Sequence, residues 1–139
     1  MIYTSYFAKL KELEKNGITP ISICGKAPAG YKGLQYKKLA PKYDFFMKWK
    51  ENHDNDYYIK HFNEQVLSGL NGFDVLTEIY SILPDRKKQE LELINCPICD
   101  SPYTHIALIC YEKPSDFCHR HLVADWFNRA GIKCKEWGV

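Results

Sequence analysis

No stretch of the 139 residues approaches the ~20 consecutive apolar positions that a membrane-spanning helix needs, which argues against membrane insertion. The opening MIYTSYFAKLKEL has neither a basic start leading into an apolar run nor a small-residue cleavage site, so a secretory signal is not visible and a cytoplasmic location is expected. Internal repeats and low-complexity segments are missing as well, which argues against a repeat array or a disordered linker. A large charge of one sign is also lacking, since the formal net charge is +2.

What is present is apolar and aromatic. Hydrophobic residues make up 45%, with 7 Phe, 10 Tyr and 3 Trp, enough for a buried core without metal or disulfide support. The length fits one domain spanning 1–139. Six cysteines stand at 24, 96, 99, 110, 118 and 134; their scatter and the lack of a signal favour reduced thiols, with a buried, inert thiol as the plain explanation of each. Charge is segregated along the chain, because Lys26 to Lys50 holds seven lysines against the single acid Asp44, about +6, leaving about −4 elsewhere.

The pattern predicts a strand at Ile2 to Tyr6, a helix through Phe7, Leu10 and Leu13 ending at Asn16-Gly17, and a second strand at Ile18 to Ile23. Pro20 suggests an early or edge position for that strand. Cys24 to Lys42, punctuated by Gly and Pro, reads as a long irregular loop. Helices follow through Tyr43 to Lys50, from the caps Asp54-Asn55-Asp56 through Leu70 with Asn71-Gly72 as its close, and through Val75 to Leu83. Arg86 to Pro102 gives no clear pattern. Tyr103 to Cys110 is the clearest strand, then a helix buries Leu122, Val123, Trp126, Phe127 and Ala130, Gly131 ends it, and Ile132 to Trp137 offers a last strand. This order predicts an α/β fold, a small mostly parallel sheet flanked by helices in a Rossmann-like three-layer architecture. Tyr6, Cys24 to Lys26 and Cys110 to Glu112 then emerge at one edge of the sheet.

Chemistry concentrates in ALICYEKPSDFCHRHLVADW, Ala107 to Trp126, where a buried strand passes through a polar corner into a helix. With Ser115 or Asp116 as cap, Cys118, His119 and Arg120 fall in the first turn, where unpaired N–H groups and the helix dipole favour a thiolate or a bound phosphate. Cys118 is a candidate nucleophile or redox thiol, Glu112 and His119 candidate proton carriers, and Arg120 a candidate anion-binding fork. Each also has a plainer reading: Cys118 as a small core residue, Arg120 and His119 as a solvated or capping face, Glu112 in an ion pair, His121 as packing. Eight positions separate Cys110 from Cys118, close enough for a reversible disulfide if the intervening loop folds back.

Two further features are ambiguous. Cys96-Pro97-Ile98-Cys99 resembles one knuckle of a zinc ribbon, which is half a site; the other half would come from His105, Cys110, Cys118, His119, His121 or Cys134, and the plainer reading is a turn with two ordinary thiols. No metal-ligand set is assigned, and no motif names a cofactor. KAPAGYKGLQYKKLAPKYDFFMKWK interleaves lysines with aromatics in a manner compatible with gripping phosphates and stacking bases, although such aromatics more often pack beneath a loop.

MIYTSYF, ITPISI, YKGLQYKKLAP and above all ICYEKPSDFCHRHLVADW resemble the domain-of-unknown-function family 488 over most of the chain. The resemblance implies a compact α/β fold in which the Cys-Tyr-Glu and Cys-His-Arg elements meet at the strand ends, carrying over Cys110, Tyr111, Glu112, Cys118, His119 and Arg120. It supplies no activity. Members commonly place an arginine just after the second strand, where Cys24-Gly25-Lys26 stands here, so Lys26 can substitute only as a point charge.

The expected function is an enzyme acting on a phosphate-bearing substrate, nucleotide or nucleic acid, with Cys118, Glu112 and His119 catalytic and Arg120, Lys26, Tyr6, Cys110 and Tyr111 binding. The alternatives are a non-catalytic module binding a nucleotide, nucleic acid or protein partner at the same corner, and a zinc-stabilised structural or regulatory protein.

Overall fold

The computed structural model describes residues 1–83 and 105–138. Five strands, β1 (Ile2–Tyr6), β2 (Thr19–Ser22), β3 (Leu34–Gln35), β4 (Ile106–Cys110) and β5 (Cys134–Glu136), form one parallel sheet in the order β3-β2-β4-β1-β5. All five residues of β4 are buried, as expected of a central parallel strand covered on both faces. Successive side chains point to opposite faces. Ala107 and Ile109 therefore pack with Leu13 of α1 (Leu10–Lys15) and with Ile18 on one side. Ile106 and Leu108 join the larger core on the other side, beneath α2 (Tyr43–Asn52), α3 (Asn55–Phe62), α4 (Gly72–Ser81) and α5 (His119–Arg129). The result is the expected three-layer α/β arrangement.

Pro20 is early in β2 but the strand is interior, between β3 and β4. The odd residues Thr19 and Ile23 direct their N–H groups to His105 and Ile109 on the β4 side. The missing proline donor thus faces the β3 side, where pairing begins only at Ile21 with Leu34. The loop from Cys24 to Lys42 is not wholly irregular, because it contains β3 and a 3-10 turn at Lys37–Leu39. Asn71-Gly72 opens a helix instead of closing one: Asn71 Oδ1 accepts from the N–H groups of Phe73 and Asp74 at the start of α4. The helix before it extends beyond α3 through a π turn, Asn63–Leu67. Asp54 caps α3 as expected, accepting from Tyr57 N–H, and Gly131, at φ +85°, ends α5.

The Arg86 to Pro102 segment, with the Cys96 to Cys99 turn, lies outside the described residues. Among the described residues, no helix is long and apolar enough to cross a membrane.

Candidate functional site at the strand ends

The carboxyl ends of β1 and β4 lie side by side, with Tyr6 opposite Cys110. The connections diverge one strand over, between β2 and β4, since β2 leads to edge strand β3 and β4 leads across β1 to β5. The end of β4 borders that crevice, which is where open parallel sheets place their ligands. The chain leaves β4 at Cys110, passes Glu112 and an exposed turn at Lys113 to Asp116, and enters α5 at His119. The cap of α5 is Cys118, extended at φ −156° and ψ 144°, with no side-chain capping bond. Ser115 and Asp116 stand outside the helix, correcting the sequence expectation by two to three residues. His119 and Arg120 occupy its first turn.

Cys110 and Cys118 are joined in a disulfide, so the expectation of reduced thiols does not describe this state of the pair. Cys24 packs against both as a free, buried thiol, and burial pushes its pKa up to about 12, which keeps it protonated. The His119 ring is buried and donates from Nε2 to the Ile23 carbonyl at 2.8 Å. That bond fixes the tautomer: a carbonyl can only accept, so the lone pair sits on Nδ1, 3.7 Å from Cys118 Sγ. Burial lowers the His119 pKa to about 4, which makes the ring neutral at physiological pH.

Cys118, His119 and Glu112 line a small pocket together with Phe46, Trp49, Tyr58 and Phe117. The space it bounds, about 220 Å³, includes open solvent, so it is a shallow recess that admits only the tip of a ligand. Tyr58 is 2% exposed, yet its hydroxyl has no hydrogen-bond partner among the described residues, and burial beside Glu112 pushes its pKa up.

Arg120 sits behind this wall and is fully buried. Nε and Nη2 each donate at 3.0 Å to the two carboxylate oxygens of Glu136, while Nη1 donates to the Glu112 carbonyl at 2.6 Å and to Cys110 Sγ at 2.9 Å. Glu136 Oε1 also accepts from Thr4 Oγ1 at 2.6 Å, across the β1–β5 ladder. Four of the five guanidinium N–H donors are therefore engaged inside the protein. The planar fork expected to grip an external anion instead ties α5 to β5 and to the end of β4.

The remaining candidates sit around this core of the site. Tyr6 lies beneath the Arg120 guanidinium, 5.7 Å from ring centroid to Cζ, and does not line the pocket. Tyr111 is half exposed, donates to the Lys26 carbonyl at 2.6 Å and packs on Phe7, so Tyr111 and Lys26 form a separate ledge. His121 does not line the pocket. Among the described residues, Cys110, Cys118 and His119 offer ligand atoms within 4.8 Å of one another, a grouping that could hold a metal ion.

Sequence reasoning did not find Tyr58, Phe117 or Glu136, and it raised Phe46 and Trp49 only as aromatics of the lysine-rich stretch compatible with stacking bases. Phe117 stands inside the conspicuous DFCHR run, and Glu136 could have been reached by asking which acid on the strand beside β1 could pair with Arg120. The three aromatics on α2 and α3 carry no signal that separates pocket wall from core.

A family model for DUF488-N3a, described as an active DUF488-N3 subclade, matches residues 6–131. No curated protein and no solved structure matches the chain.

Proposed function

The chain belongs to the DUF488-N3a family, and from that premise we propose that it is an enzyme acting on a phosphate-bearing substrate, a nucleotide or nucleic acid, whose reacting end enters the pocket formed by Glu112, Cys118, His119 and Tyr58. The family description of the subclade as active supports an enzyme reading over a purely structural one.

The observation that carries the proposal is the fixed His119 tautomer, with Nδ1 facing Cys118 Sγ. In the dithiol state the Cys118 S–H can pass its proton to that nitrogen as sulfur attacks the substrate phosphorus, the bond from phosphorus to the leaving oxygen breaking as the sulfur–phosphorus bond forms and the leaving oxygen taking a proton by way of Glu112. A neutral His119 has its Nδ1 lone pair available to accept that proton. Glu112 lines the other side of the pocket and serves as the proton carrier toward the substrate. Arg120 acts as a positioning residue that holds Cys110 and the Glu112 backbone.

An anionic substrate is favoured by two features. The first two N–H groups of α5, those of His119 and Arg120, lack an intrahelical partner, while that of His121 already donates to the Cys118 carbonyl. The opposite pocket wall, formed by Phe46 and Trp49, belongs to α2, which carries the exposed Lys48 and Lys50 and is preceded by Lys42.

The test is turnover by the reduced full chain on a panel of nucleoside phosphates and single-stranded oligonucleotides, read by mass change and phosphate release. Glu112→Gln should lower the rate by on the order of 100-fold. A ligand that binds tightly and is recovered unchanged, or a rate untouched by both Glu112→Gln and Cys118→Ser, overturns the proposal.

A further inference from the structure

The pairing of two sulfurs with an oriented imidazole has a second chemical meaning. We propose that, once the Cys110–Cys118 disulfide is reduced, Cys110 Sγ, Cys118 Sγ and His119 Nδ1 hold a zinc-type divalent ion whose fourth position opens to the pocket. The inference rests on reading that pocket as the reacting site; in the loaded state Cys118 and His119 Nδ1 are ligands, so neither serves the thiol attack of the metal-free dithiol, and the ion supplies the site's chemistry instead.

The spacing of Cys118 and His119 fits such an ion. On a tetrahedral ion with bonds of ~2.3 Å to sulfur and ~2.1 Å to nitrogen, the two ligand atoms stand roughly 3.6 Å apart. Cys118 Sγ and His119 Nδ1 are 3.7 Å apart. The Cys110 and Cys118 Cα atoms are 7.5 Å apart, beyond the ~4.4–6.8 Å that disulfides usually bridge. Two metal–sulfur bonds span such a gap more readily than one sulfur–sulfur bond.

The surroundings fit as well. A ligating histidine characteristically donates its other ring N–H to a carbonyl or carboxylate, which is what His119 Nε2 does with Ile23. Arg120 Nη1 donates to Cys110 Sγ, an outer bond of the kind that stabilises a coordinated thiolate. Two thiolates balance a divalent ion, and Arg120 is already balanced by Glu136, so the buried assembly carries no uncompensated charge. The donor set of two sulfurs and one nitrogen selects a borderline-soft ion over calcium or magnesium.

Opening the disulfide takes two electrons and two protons from an external dithiol, which is itself oxidised to a disulfide. Binding the ion then releases both thiol protons to solvent. In the loaded state Cys118 is a ligand, and the open position facing Glu112 and Tyr58 is left for substrate or water. In the oxidised state the set is dismantled.

The full chain, reduced with a phosphine and loaded with Zn²⁺ or Co²⁺, should after desalting hold about one equivalent more metal than the Cys110→Ser and Cys118→Ser variants. Comparison with the parent cancels any metal held by Cys96 and Cys99, whose replacement by serine should leave this equivalent in place. Co²⁺ should give thiolate-to-cobalt charge-transfer absorption that His119→Gln diminishes. Should a variant fail to fold, the unsubstituted chain with its disulfide closed must lose the same equivalent and the same absorption. Equal metal in parent, serine variants and oxidised chain overturns the inference, as does a reduced parent without metal. Metal at the site with no turnover of the phosphate panel supports the inference while overturning the enzyme reading. Turnover by metal-free chain that added Zn²⁺ does not change does the reverse.

Discussion

Arg120 was expected to face a ligand and is instead the most thoroughly enclosed charge among the described residues, which changes what its substitution should do. Removing one member of a buried pair leaves the other desolvated and unpaired. Glu136, with a side chain 12% exposed, would keep only Thr4. Arg120→Met is predicted to cost about 3–5 kcal/mol in urea unfolding, and the double variant Arg120→Met, Glu136→Met to recover most of it. A single variant as stable as the parent would return Arg120 to a ligand-facing role. His119 carries a prediction of opposite origin. Its folded pKa of about 4 lies below the 6.5 of the free group, so below pH 6.5 the unfolded chain binds the proton that the folded one refuses. Its contribution to stability is complete above pH 6.5 and falls away as the pH drops toward 4, by about 3 kcal/mol in all. His119→Gln, which keeps a donor for the Ile23 carbonyl, should flatten this part of the stability curve; an unchanged slope between pH 6.5 and 4 would show that His119 is not its source.

At the scale of elements, β1, β4 and the end of α5 were legible because their signals are strong and unopposed: β-rich runs of five residues and a glycine at positive φ. β3 has two residues, too few to express any period, and exists because Ile21 and Ser22 offer it an edge. Asn71-Gly72 is equally suited to ending one helix and capping the next. Tertiary packing decides it, since Gly72 is pressed against Ala130 and Ile132, where an added Cβ would stand 3.4 Å from each. The start of α5 misled for a related reason. Ser115 and Asp116 are the better caps by propensity, worth about 1 kcal/mol. An earlier start would have cost Cys118 the extended backbone from which it reaches Cys110, and would have wound into the helix Phe117, which packs against Trp49 and Tyr58. Glu112, Cys118 and His119 could be found because they flank a recognisable strand end. Tyr58 could not, since nothing local distinguishes an aromatic facing a pocket from one facing the core.

Across the whole molecule, part of the lysine-rich stretch of the chain comes to stand next to the pocket. Three of the seven lysines in Lys26 to Lys50, Lys42, Lys48 and Lys50, stand on or just before α2, whose Phe46 and Trp49 form a pocket wall, while the net charge stays at +2. Lys38 is paired with Glu78 and drops out of the count, but among the described residues Lys42 and Lys48 have no partner and Lys50 lies over the Phe46 ring, with Tyr43 79% exposed nearby on the same helix. A strand of nucleic acid whose end enters the pocket would run along this face, its phosphates meeting lysines and a base meeting Tyr43. Each phosphate neutralised on a single strand contributes about −0.7 to the slope of log K against log salt. We therefore predict that Lys42→Glu, Lys48→Glu, Lys50→Glu weakens binding of a single-stranded oligonucleotide at low salt and reduces that slope by about 2, while the disulfide-bonded site behind α5 is untouched. Fluorescence anisotropy over a salt series measures both effects. A substrate that is a free nucleotide, held only in the pocket, would leave the oligonucleotide slope the same in parent and variant and would move the phosphate-bearing end, but no polymer, into the site.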